Sequence, residues 1–548
     1  MDKLANDKKH INLIIQIIFL ALIGITALKV LLVGYDMDEQ YAYTLAYRLI
    51  NGDGFLKEMW EPHQTSALPE ALVMYLYTLV FGIKGVVLFS RFVGMIIQAI
   101  TMFLLYRFLN KRVSSCIALA VTGIIAFTIP KLMFTMDYSN ILMWMELVIM
   151  LSLMEYYSGK RKLIYLIITG CALMFGVLSY PALIVLVPVV AYIVIRLREN
   201  NKSLIKETLA VAIPCVIGLI IFIISLLLRI EASSIKELMG YVLSDGSHSA
   251  SIGMRLMDHL NSAITVIIFT LIYSIISLLI YLPFRSKIRK NQIIYILVFV
   301  SFIGQLFIWL FARKYINFPR VEMFIVSIYL GFRGFVTKRS KEQTRDFLIF
   351  TIIPIASFLG VSIFTNHPFL VSAPFLSYVL AGLVITEDLD IKAINLKVVF
   401  AYVCLFVILF GNLLLVRTAD GTRCTIFGDV SLIRKGPAFG IIADDTIVTR
   451  NREDYDLIIA NIPTTSKLMY MGRDSDIYMF GEYEVCSPST ISTPTYDEKI
   501  YRYQEINPSK VPEYVVYENA FEPKALELFG NEYEEIASNW YIHIMKKK

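Results

Sequence analysis

Long apolar runs, separated by short polar segments, cover most of the first 416 residues of the chain. Thirteen of these runs approach the roughly 20 residues that a helix needs to cross a bilayer. The predicted spans are 11–33, 86–106, 113–133, 139–157, 163–178, 181–197, 207–228, 262–282, 292–311, 321–336, 347–364, 369–386 and 396–416. Residues 163–178 and 181–197 meet at a proline, which interrupts helical hydrogen bonding. Two short helices joined by a tight turn are expected there, and one long kinked helix is the alternative.

A further apolar run, residues 67–83, is predicted to lie along the membrane surface as an interfacial helix. With this assignment the basic clusters, such as those at 107–112 and 160–162, all fall on one side of the membrane. Cytoplasmic loops carry the excess of Lys and Arg. If 67–83 crossed the bilayer, both clusters would lie outside. We therefore expect a multi-pass protein of the cell membrane with a cytoplasmic N-terminus and an extracytoplasmic C-terminal domain.

The tail from residue 417 differs from the rest of the chain, because it is polar and holds 15 Lys and Arg against 21 Asp and Glu. Short β-like runs at 440–443, 467–472, 514–517 and 541–545 alternate with helical runs at 452–462 and 522–540. The pattern predicts an α/β domain at 417–548, after a transmembrane domain at 1–416 whose outer loop, 34–85, carries juxtamembrane helices. Cys424 and Cys486 both lie in the tail, where a disulfide and two free thiols are equally compatible with the sequence.

Composition excludes several classes of protein. Of the 548 residues, 57% are hydrophobic and only 18% are charged, and the mean hydropathy is +0.64. Soluble domains are about 45–50% apolar and about 25% charged. The chain is therefore not a soluble enzyme, a disordered chain or a coiled coil. Its basic excess flanks the spans, so no nucleic-acid partner is indicated, and its six cysteines form no CxxC pair of the zinc or thioredoxin type.

The loop after the first span carries the first candidate chemistry. An amphipathic helix is predicted from Asp38, with Tyr41 starting an apolar face at i, i+4 and i+8. Asp36 and Glu39 fit a capping box, with Asp in place of Ser or Thr. Asp38 and Glu39 are carboxylates at a membrane boundary, where a general base or a divalent-metal ligand is expected. A solvated helix face is the alternative for Glu39.

The same loop continues with a polar motif before residues 67–83. His63 is flanked by Glu61 and Gln64 near the membrane boundary, and we consider all three as substrate-binding residues. A lone histidine is more often structural. Arg91 opens the second span, where its guanidinium would meet a lipid phosphate, and snorkelling to the interface is the alternative.

Two further outer segments contribute candidates. Asp137 follows the third span and faces the same compartment as Asp38. A site shared by these two carboxylates from separate loops is compatible with the sequence, which does not itself establish it. Arg313, Lys314 and Arg320 form a basic cluster on the side that otherwise carries few basic residues. Such a cluster suits a phosphate, and a simple interfacial anchor is the other interpretation.

The order of these motifs resembles a known family. An Asp-Glu-x-Tyr helix follows the first span, then a Pro-containing polar motif, an apolar helix ending Phe81-Gly82, Ser-Arg-Phe at 90–92, and Asp137 after a span ending near Pro130. Over residues 11–200 this order resembles the GT-C superfamily of membrane glycosyltransferases. The most similar groups are the protein O-mannosyltransferases, the lipid A aminoarabinose transferases and the bacterial dolichyl-phosphate-mannose mannosyltransferase-like proteins.

The resemblance implies an α-helical GT-C-like membrane enzyme that moves one sugar from a polyprenyl-phosphate carrier to a glycan, lipid or protein acceptor on the outer face. It assigns the general base, or a ligand of a divalent metal ion, to Asp38 and less directly to Glu39. Asp137 corresponds to the family's acidic residue at the start of the second outer loop, a candidate catalytic residue and metal ligand, and Arg91 corresponds to the family arginine. The family's Lys-Pro-Pro or His-Pro-Pro motif aligns with residues 61–63, where His63 replaces the second proline and no lysine is present.

Two other functions remain open from the sequence. Transporters and flippases of lipid-linked glycans carry charged residues near the middle of the membrane, and Glu146 within 139–157 is such a residue. A non-catalytic scaffold for surface-polysaccharide assembly is the third possibility, against which the Asp38-Glu39 pair argues.

Overall fold

The computed structural model describes residues 2–160, 162–198, 203–243, 252–286, 293–311, 320–336, 340–365, 372–386, 394–417, 423–492 and 497–548. Its first part is helical. The helices up to residue 198 are α1 (Asp2–Leu32), α2 (Met37–Ile50), α3 (Ala67–Phe81), α4 (Val86–Leu109), α5 (Ser115–Ala126), α6 (Tyr138–Glu155), α7 (Leu163–Ser179) and α8 (Leu186–Leu197). The next are α9 (Leu204–Leu227), α10 (Ala232–Leu243), α11 (Ile252–Tyr281), α12 (Ile293–Phe311), α13 (Arg320–Val336), α14 (Lys341–Phe347), α15 (Ile353–Phe364), α16 (Val379–Thr386) and α17 (Ile394–Leu414).

Apolar helices of membrane-spanning length make this a multi-pass membrane protein. In the described part of the chain, seven helical stretches are long and apolar enough to cross a bilayer, and five shorter apolar helices accompany them. The seven are Asn12–Leu32, Val86–Leu109, Tyr138–Gly159, Leu204–Leu227, Gly253–Phe284, Lys341–Phe364 and Lys397–Leu414. The count of thirteen spans stays a prediction.

The helices differ strongly in how much of their surface other helices cover. In the most apolar 18 residues of Tyr138–Gly159, built around α6, 72% are buried, whereas the share is 17% in Leu204–Leu227 and in Gly253–Phe284. Apolar side chains that no protein covers suit contact with lipid, because lipid tails replace water there. The bundle therefore has α6 near its centre and presents α9 and α11 outward.

The C-terminal part is an α/β domain, as predicted. Its strands are β1 (Leu415–Arg417), β2 (Arg423–Thr425), β3 (Val430–Leu432), β4 (Ile442–Asp444), β5 (Lys467–Met471), β6 (Glu484–Val485), β7 (Tyr514–Glu518), β8 (Tyr533–Ser538) and β9 (Ile542–Lys547), and its helices are α18 (Asp445–Asn461), α19 (Asp497–Ile506) and α20 (Glu522–Phe529). The main sheet has the order β6-β5-β7-β9-β8. Strand β5 pairs in parallel with β6 and β7, whereas β9 pairs antiparallel with β7 and β8.

Local details of the sequence prediction are corrected by the structure. The helix expected at 522–540 is a short α20 followed by strand β8, because the chain turns at Gly530 and then pairs with β9. The predicted span 113–133 contains a helix of only 12 residues, α5. The chain then leaves the helix and passes through a turn at Pro130–Leu132. Cys486 is a buried free thiol, so it forms no disulfide.

The first loop, residues 34–66, packs against the C-terminal domain rather than standing free. Tyr35, Tyr43 and Met59 belong to the same buried apolar cluster as Tyr470 and Tyr483. The chain enters the C-terminal domain through β1, which directly follows α17. This packing brings the start of the C-terminal domain to the N-terminal end of α2.

Candidate functional site

Helix α2 begins at the cap that its sequence predicts. Asp36 is the N-cap, with extended backbone, and its Oδ1 accepts a hydrogen bond from the Asp38 backbone nitrogen at 2.8 Å. An N-cap carboxylate satisfies one of the free N–H groups at the start of a helix. The Glu39 side chain does not close the capping box, because it turns to Arg91 instead. Asp38 is thereby fixed in the first turn of α2.

Two cations from different parts of the chain flank Asp38. Its Oδ2 lies 3.6 Å from Lys131 Nζ and 3.5 Å from Arg417 Nη2. Arg417, in β1, also donates from Nε to Asp36. The Asp38 side chain is 37% exposed, while its charged neighbours are 13–16% exposed. Among these groups, Asp38 is the carboxylate that a substrate can reach from solvent.

Lys131 joins the two loops that hold the predicted carboxylates. Its Nζ donates to Asp137 Oδ2 at 2.7 Å and lies 4.3 Å from the centre of the Tyr138 ring. Asp137 is the N-cap of α6, where Oδ1 accepts from the Asn140 nitrogen at 2.9 Å. Burial opposes the charge of Lys131, but Asp137 and Asp38 more than offset it and hold the lysine pKa well above its ordinary value. The structure thus brings Asp38 and Asp137 together around one ammonium group.

Glu39 and Arg91 form a buried ion pair. Arg91 Nε donates to Glu39 Oε1 at 2.6 Å, Nη2 donates to Oε2, and both side chains are at most 1% exposed. Thr135 donates a further hydrogen bond to Glu39 Oε1 at 2.6 Å. The remaining Arg91 donors reach the carbonyl oxygens of Leu31 and Gly34. This geometry favours a clamp between α4 and α2, and it leaves Arg91 no exposed donor for a lipid phosphate.

Glu61 and Gln64, in the polar motif that follows α2, form hydrogen bonds and an ion pair with other groups of the protein. Glu61 is fully buried, accepts from the Thr490 hydroxyl at 2.8 Å and pairs with Arg48 Nη1 at 3.3 Å. Burial raises the pKa of Glu61, and Arg48 and Thr490 oppose that rise. Gln64 accepts from the Leu56 nitrogen at 3.0 Å. These contacts fasten the first loop to itself and to the C-terminal domain.

His63 stacks with aromatic side chains beside the carboxylate cluster. Its ring centroid lies 4.0 Å from that of Tyr138 and 4.8 Å from that of Tyr180, with interplanar angles of 14° and 25°. Tyr138 is the same ring that Lys131 approaches. His63 therefore reaches the site through a shared aromatic group.

The predicted basic cluster is only partly described. Arg313 and Lys314 lie outside the described residues, and of Arg320 only the backbone, which opens α13, is described.

Sequence reasoning missed three charged residues of the site. Lys131 lies inside the predicted span 113–133, and Arg417 marks only the predicted start of the C-terminal domain. Glu70, in α3, is fully buried beside Ser90 and Glu39, and burial raises the pKa of this carboxyl to about 8. Basic residues between carboxylate-bearing loops are the signal that would have pointed to Lys131 and Arg417.

The predicted metal ligands do not fit a metal ion in this arrangement. Asp38 and Asp137 share the ammonium group of Lys131. No group of three or more His, Cys, Asp or Glu side chains in the described part of the chain is arranged to hold a metal. Divalent ions in proteins usually take several oxygen or nitrogen ligands. A metal at these two aspartates would have to displace the lysine.

Three comparisons relate the chain to known proteins. Residues 69–227 match the family model described as dolichyl-phosphate-mannose-protein mannosyltransferase, a segment that runs from α3 to the end of α9. No curated protein matches the chain.

Solved structures of two kinds are similar to the chain at low identity. ArnT from Cupriavidus metallidurans, bound to undecaprenyl phosphate, is 9% identical, with 96% of this chain and 97% of ArnT covered at a TM-score of 0.45. The oligosaccharyltransferase of Archaeoglobus fulgidus, in complex with zinc and sulfate, is 12% identical, with 93% of this chain and 71% of that chain covered at a TM-score of 0.43.

The family match falls on the segment that supplies Arg91, Lys131 and Asp137 to the site. It agrees with the order of motifs in the sequence and with the apolar helices of the structure. Residues 69–227 of the chain are therefore similar to the dolichyl-phosphate-mannose-protein mannosyltransferase family.

Proposed function

We propose that the protein transfers a hexosyl or pentosyl group from a polyprenyl-phosphate carrier to an acceptor on the extracytoplasmic face. The description of the matched family supports the lipid-phosphate donor. The position of the charged cluster, just beyond the ends of α1 and α5, suits a carrier whose chain stays in the bilayer while its phosphate reaches the surface.

The observation that carries the proposal is the environment of Asp38. A half-exposed carboxylate, held between two cations and beside Asp137, is suited to accept the proton of an acceptor hydroxyl. The acceptor oxygen then forms a bond to the anomeric carbon as the bond from that carbon to the phosphate oxygen breaks. The proton goes to Asp38, and the electron pair leaves with the polyprenyl phosphate.

The departing phosphate gains negative charge, which nearby positive groups stabilise. Arg417 supplies that charge within the described site, since its Nη2 lies 3.5 Å from Asp38 Oδ2. Arg91 takes a different part in this proposal, because its donors are directed at Glu39 and at backbone carbonyls. The basic cluster at Arg313 and Lys314 remains a candidate for a second phosphate contact.

Glu39 acts as a positioning residue in this proposal. Its carboxylate ties α2 to Arg91 of α4 and to Thr135 of the loop before α6. These contacts keep Asp38, one residue earlier, facing Lys131. Glu61 and Gln64 have a similar task for the first loop, and His63 orients the Tyr138 ring.

The proposed orientation places the first loop, Asp137 and residues 417–548 outside and the N-terminus in the cytoplasm. The many contacts between the first loop and the C-terminal domain support one common side for them. Thr44 donates to the Ser475 carbonyl at 3.0 Å, and Tyr47 donates to the Tyr483 carbonyl at 3.0 Å. We assign residues 1–416 to the catalytic membrane domain and propose that the tail completes the wall of the active site.

The proposal is tested in the native host with a deletion strain complemented by wild type, Asp38→Asn or Asp456→Asn. Asp456 is an exposed carboxylate of the C-terminal domain that pairs with Lys435 rather than with Lys131 or Arg417. We expect Asp38→Asn and the deletion to accumulate one lipid-linked sugar and to lose that sugar from one surface product, by mass spectrometry. Asp456→Asn should behave as wild type. Unchanged lipid-linked sugars in the deletion strain would refute the proposal.

A further inference from the structure

Lys131 has a backbone conformation that residues other than glycine rarely adopt. Its φ is 62° and its ψ is 0°, in the turn Pro130–Leu132 between α5 and α6. The left-handed region costs a non-glycine residue roughly 1–2 kcal/mol, and such strain tends to collect at functional sites. The turn itself would form more easily with glycine. The presence of lysine at this strained position therefore indicates a role for its side chain.

That side chain is directed into the carboxylate cluster rather than toward solvent. Its Nζ lies 2.7 Å from Asp137 and 3.6 Å from Asp38, and only 13% of the side chain is exposed. The Tyr138 ring covers the ammonium group at 4.3 Å. One ammonium thus bridges carboxylates from two loops that are about 100 residues apart in sequence.

The family resemblance implies that a divalent metal ion is bound by Asp38 and Asp137. In the structure, the ammonium group of Lys131 occupies that bridging position. The ammonium group has three donors and can serve two carboxylates at once. It also holds them at a fixed separation, since like charges so close would otherwise repel each other. A metal ion at Asp137 would have to displace the ammonium group of Lys131. Because that ammonium group would stay nearby, it would repel the positively charged metal ion.

We propose that Lys131 is a positioning residue that replaces a divalent metal ion: its ammonium holds Asp38 and Asp137 in register. Sugar transfer by this protein, which rests on the function proposed above, then proceeds without a bound divalent ion. Lys131 acts through the two aspartates and keeps the proposed base, Asp38, aligned with the acceptor.

The first test measures metal binding and needs no sugar substrate. The purified full-length protein is stripped with EDTA and titrated with Mn²⁺, and bound ion is followed by electron paramagnetic resonance. We expect wild type and its Asp137→Asn variant to show the same weak, non-saturating signal. A saturable site in the wild type that Asp137→Asn removes would overturn the proposal.

The second test uses variants of the lysine and a matched control. Lys435 also pairs with an aspartate, Asp456, and lies 5.8 Å from the ring of Tyr455, but this pair is exposed and includes neither Asp38 nor Asp137. Lys131→Met should lower kcat about 100-fold, as for the loss of a group that orients reacting groups, with KM for the lipid donor little changed. Lys131→Arg should recover part of that loss, and Lys435→Met should match wild type.

Transfer by the wild-type protein should be the same in EDTA and in Mn²⁺. Thermal unfolding of each variant shows whether it folds, so a loss of kcat at unchanged unfolding temperature is assigned to positioning. Wild-type kcat in Lys131→Met would refute the proposal. If the wild type itself transfers no sugar, the proposed function fails, while the Mn²⁺ titration still decides whether Lys131 excludes the metal.

Discussion

Gly94 of α4 packs closely against the loop before α6, and a substitution of this glycine tests whether the site depends on that packing. A Cβ atom built on this glycine would lie 1.8 Å from the carbonyl oxygen of Phe134. Cβ atoms in proteins essentially never approach another heavy atom more closely than 3.0 Å. Gly94→Ala therefore has to move the loop before α6 by at least about 1.2 Å. That loop lies between Lys131 and Asp137, so its displacement changes their separation.

The expected loss is large because both stability and geometry suffer. Overpacking of this kind typically costs about 1–3 kcal/mol in the free energy of unfolding, and a 1 Å misplacement at an active site lowers the rate roughly 100-fold. Gly24→Ala in α1 is the matched control, since nothing lies within 4 Å of its Cβ position. Alanine there should be neutral or slightly stabilising.

The assay adds each purified variant to membranes of the deletion strain and follows consumption of the lipid-linked sugar, normalised to folded protein. Gly94→Ala should be about 100-fold slower than wild type, and Gly24→Ala should equal it. If Gly94→Ala works within about threefold of wild type at equal abundance, the packing argument for the loop is refuted.

Further variants separate structural from chemical roles. Arg91→Met leaves the Glu39 carboxylate buried without its guanidinium and should destabilise the protein by about 3–5 kcal/mol, seen as a lower unfolding temperature; wild-type stability would exclude the clamp. Burial raises the pKa of Asp476, which accepts from Tyr35, to about 8. In the unfolded chain the Asp476 carboxyl ionises near pH 4. The free energy of unfolding should therefore fall as pH rises from about 4 to 8, and Asp476→Asn should remove this pH dependence. Glu146→Gln should leave sugar transfer unchanged, since nine residues of α6, roughly 13 Å, separate it from Asp137; a loss of transfer would favour the transporter alternative.

The sequence predicted much of the architecture because apolar runs and caps are local signals. The positions of most described apolar helices, the helix from Asp38, the helix at 67–81 and four strands of the C-terminal domain agree with the structure. Asp36 caps α2, as its position before the helix suggested. These features depend on residues within a few positions of one another.

The site itself depends on contacts between distant segments, which hydropathy does not encode. Lys131 was assigned to a span because apolar residues surround it, and only the turn at Pro130 takes it out of the helix. The sequence predicts that Arg91 meets a lipid phosphate, whereas in the structure its guanidinium binds Glu39, 52 residues earlier. The strand after Gly530 is a different case, because its pairing partner, β9, is the next strand along the chain and the predicted helix at 522–540 is wrong there in spite of a local contact.

We propose that Asp38 is the base of a sugar transfer from a lipid phosphate. The most direct measurement adds purified wild type or Asp38→Asn to membranes of the deletion strain, which hold the accumulated lipid-linked sugar, and records product by mass spectrometry. Binding of undecaprenyl phosphate to each protein is measured in parallel. We predict that Asp38→Asn binds the carrier within a few-fold of wild type while its transfer rate falls about 10²–10⁴-fold, the range for loss of a general base. Transfer by Asp38→Asn at the wild-type rate would show that Asp38 is not the base.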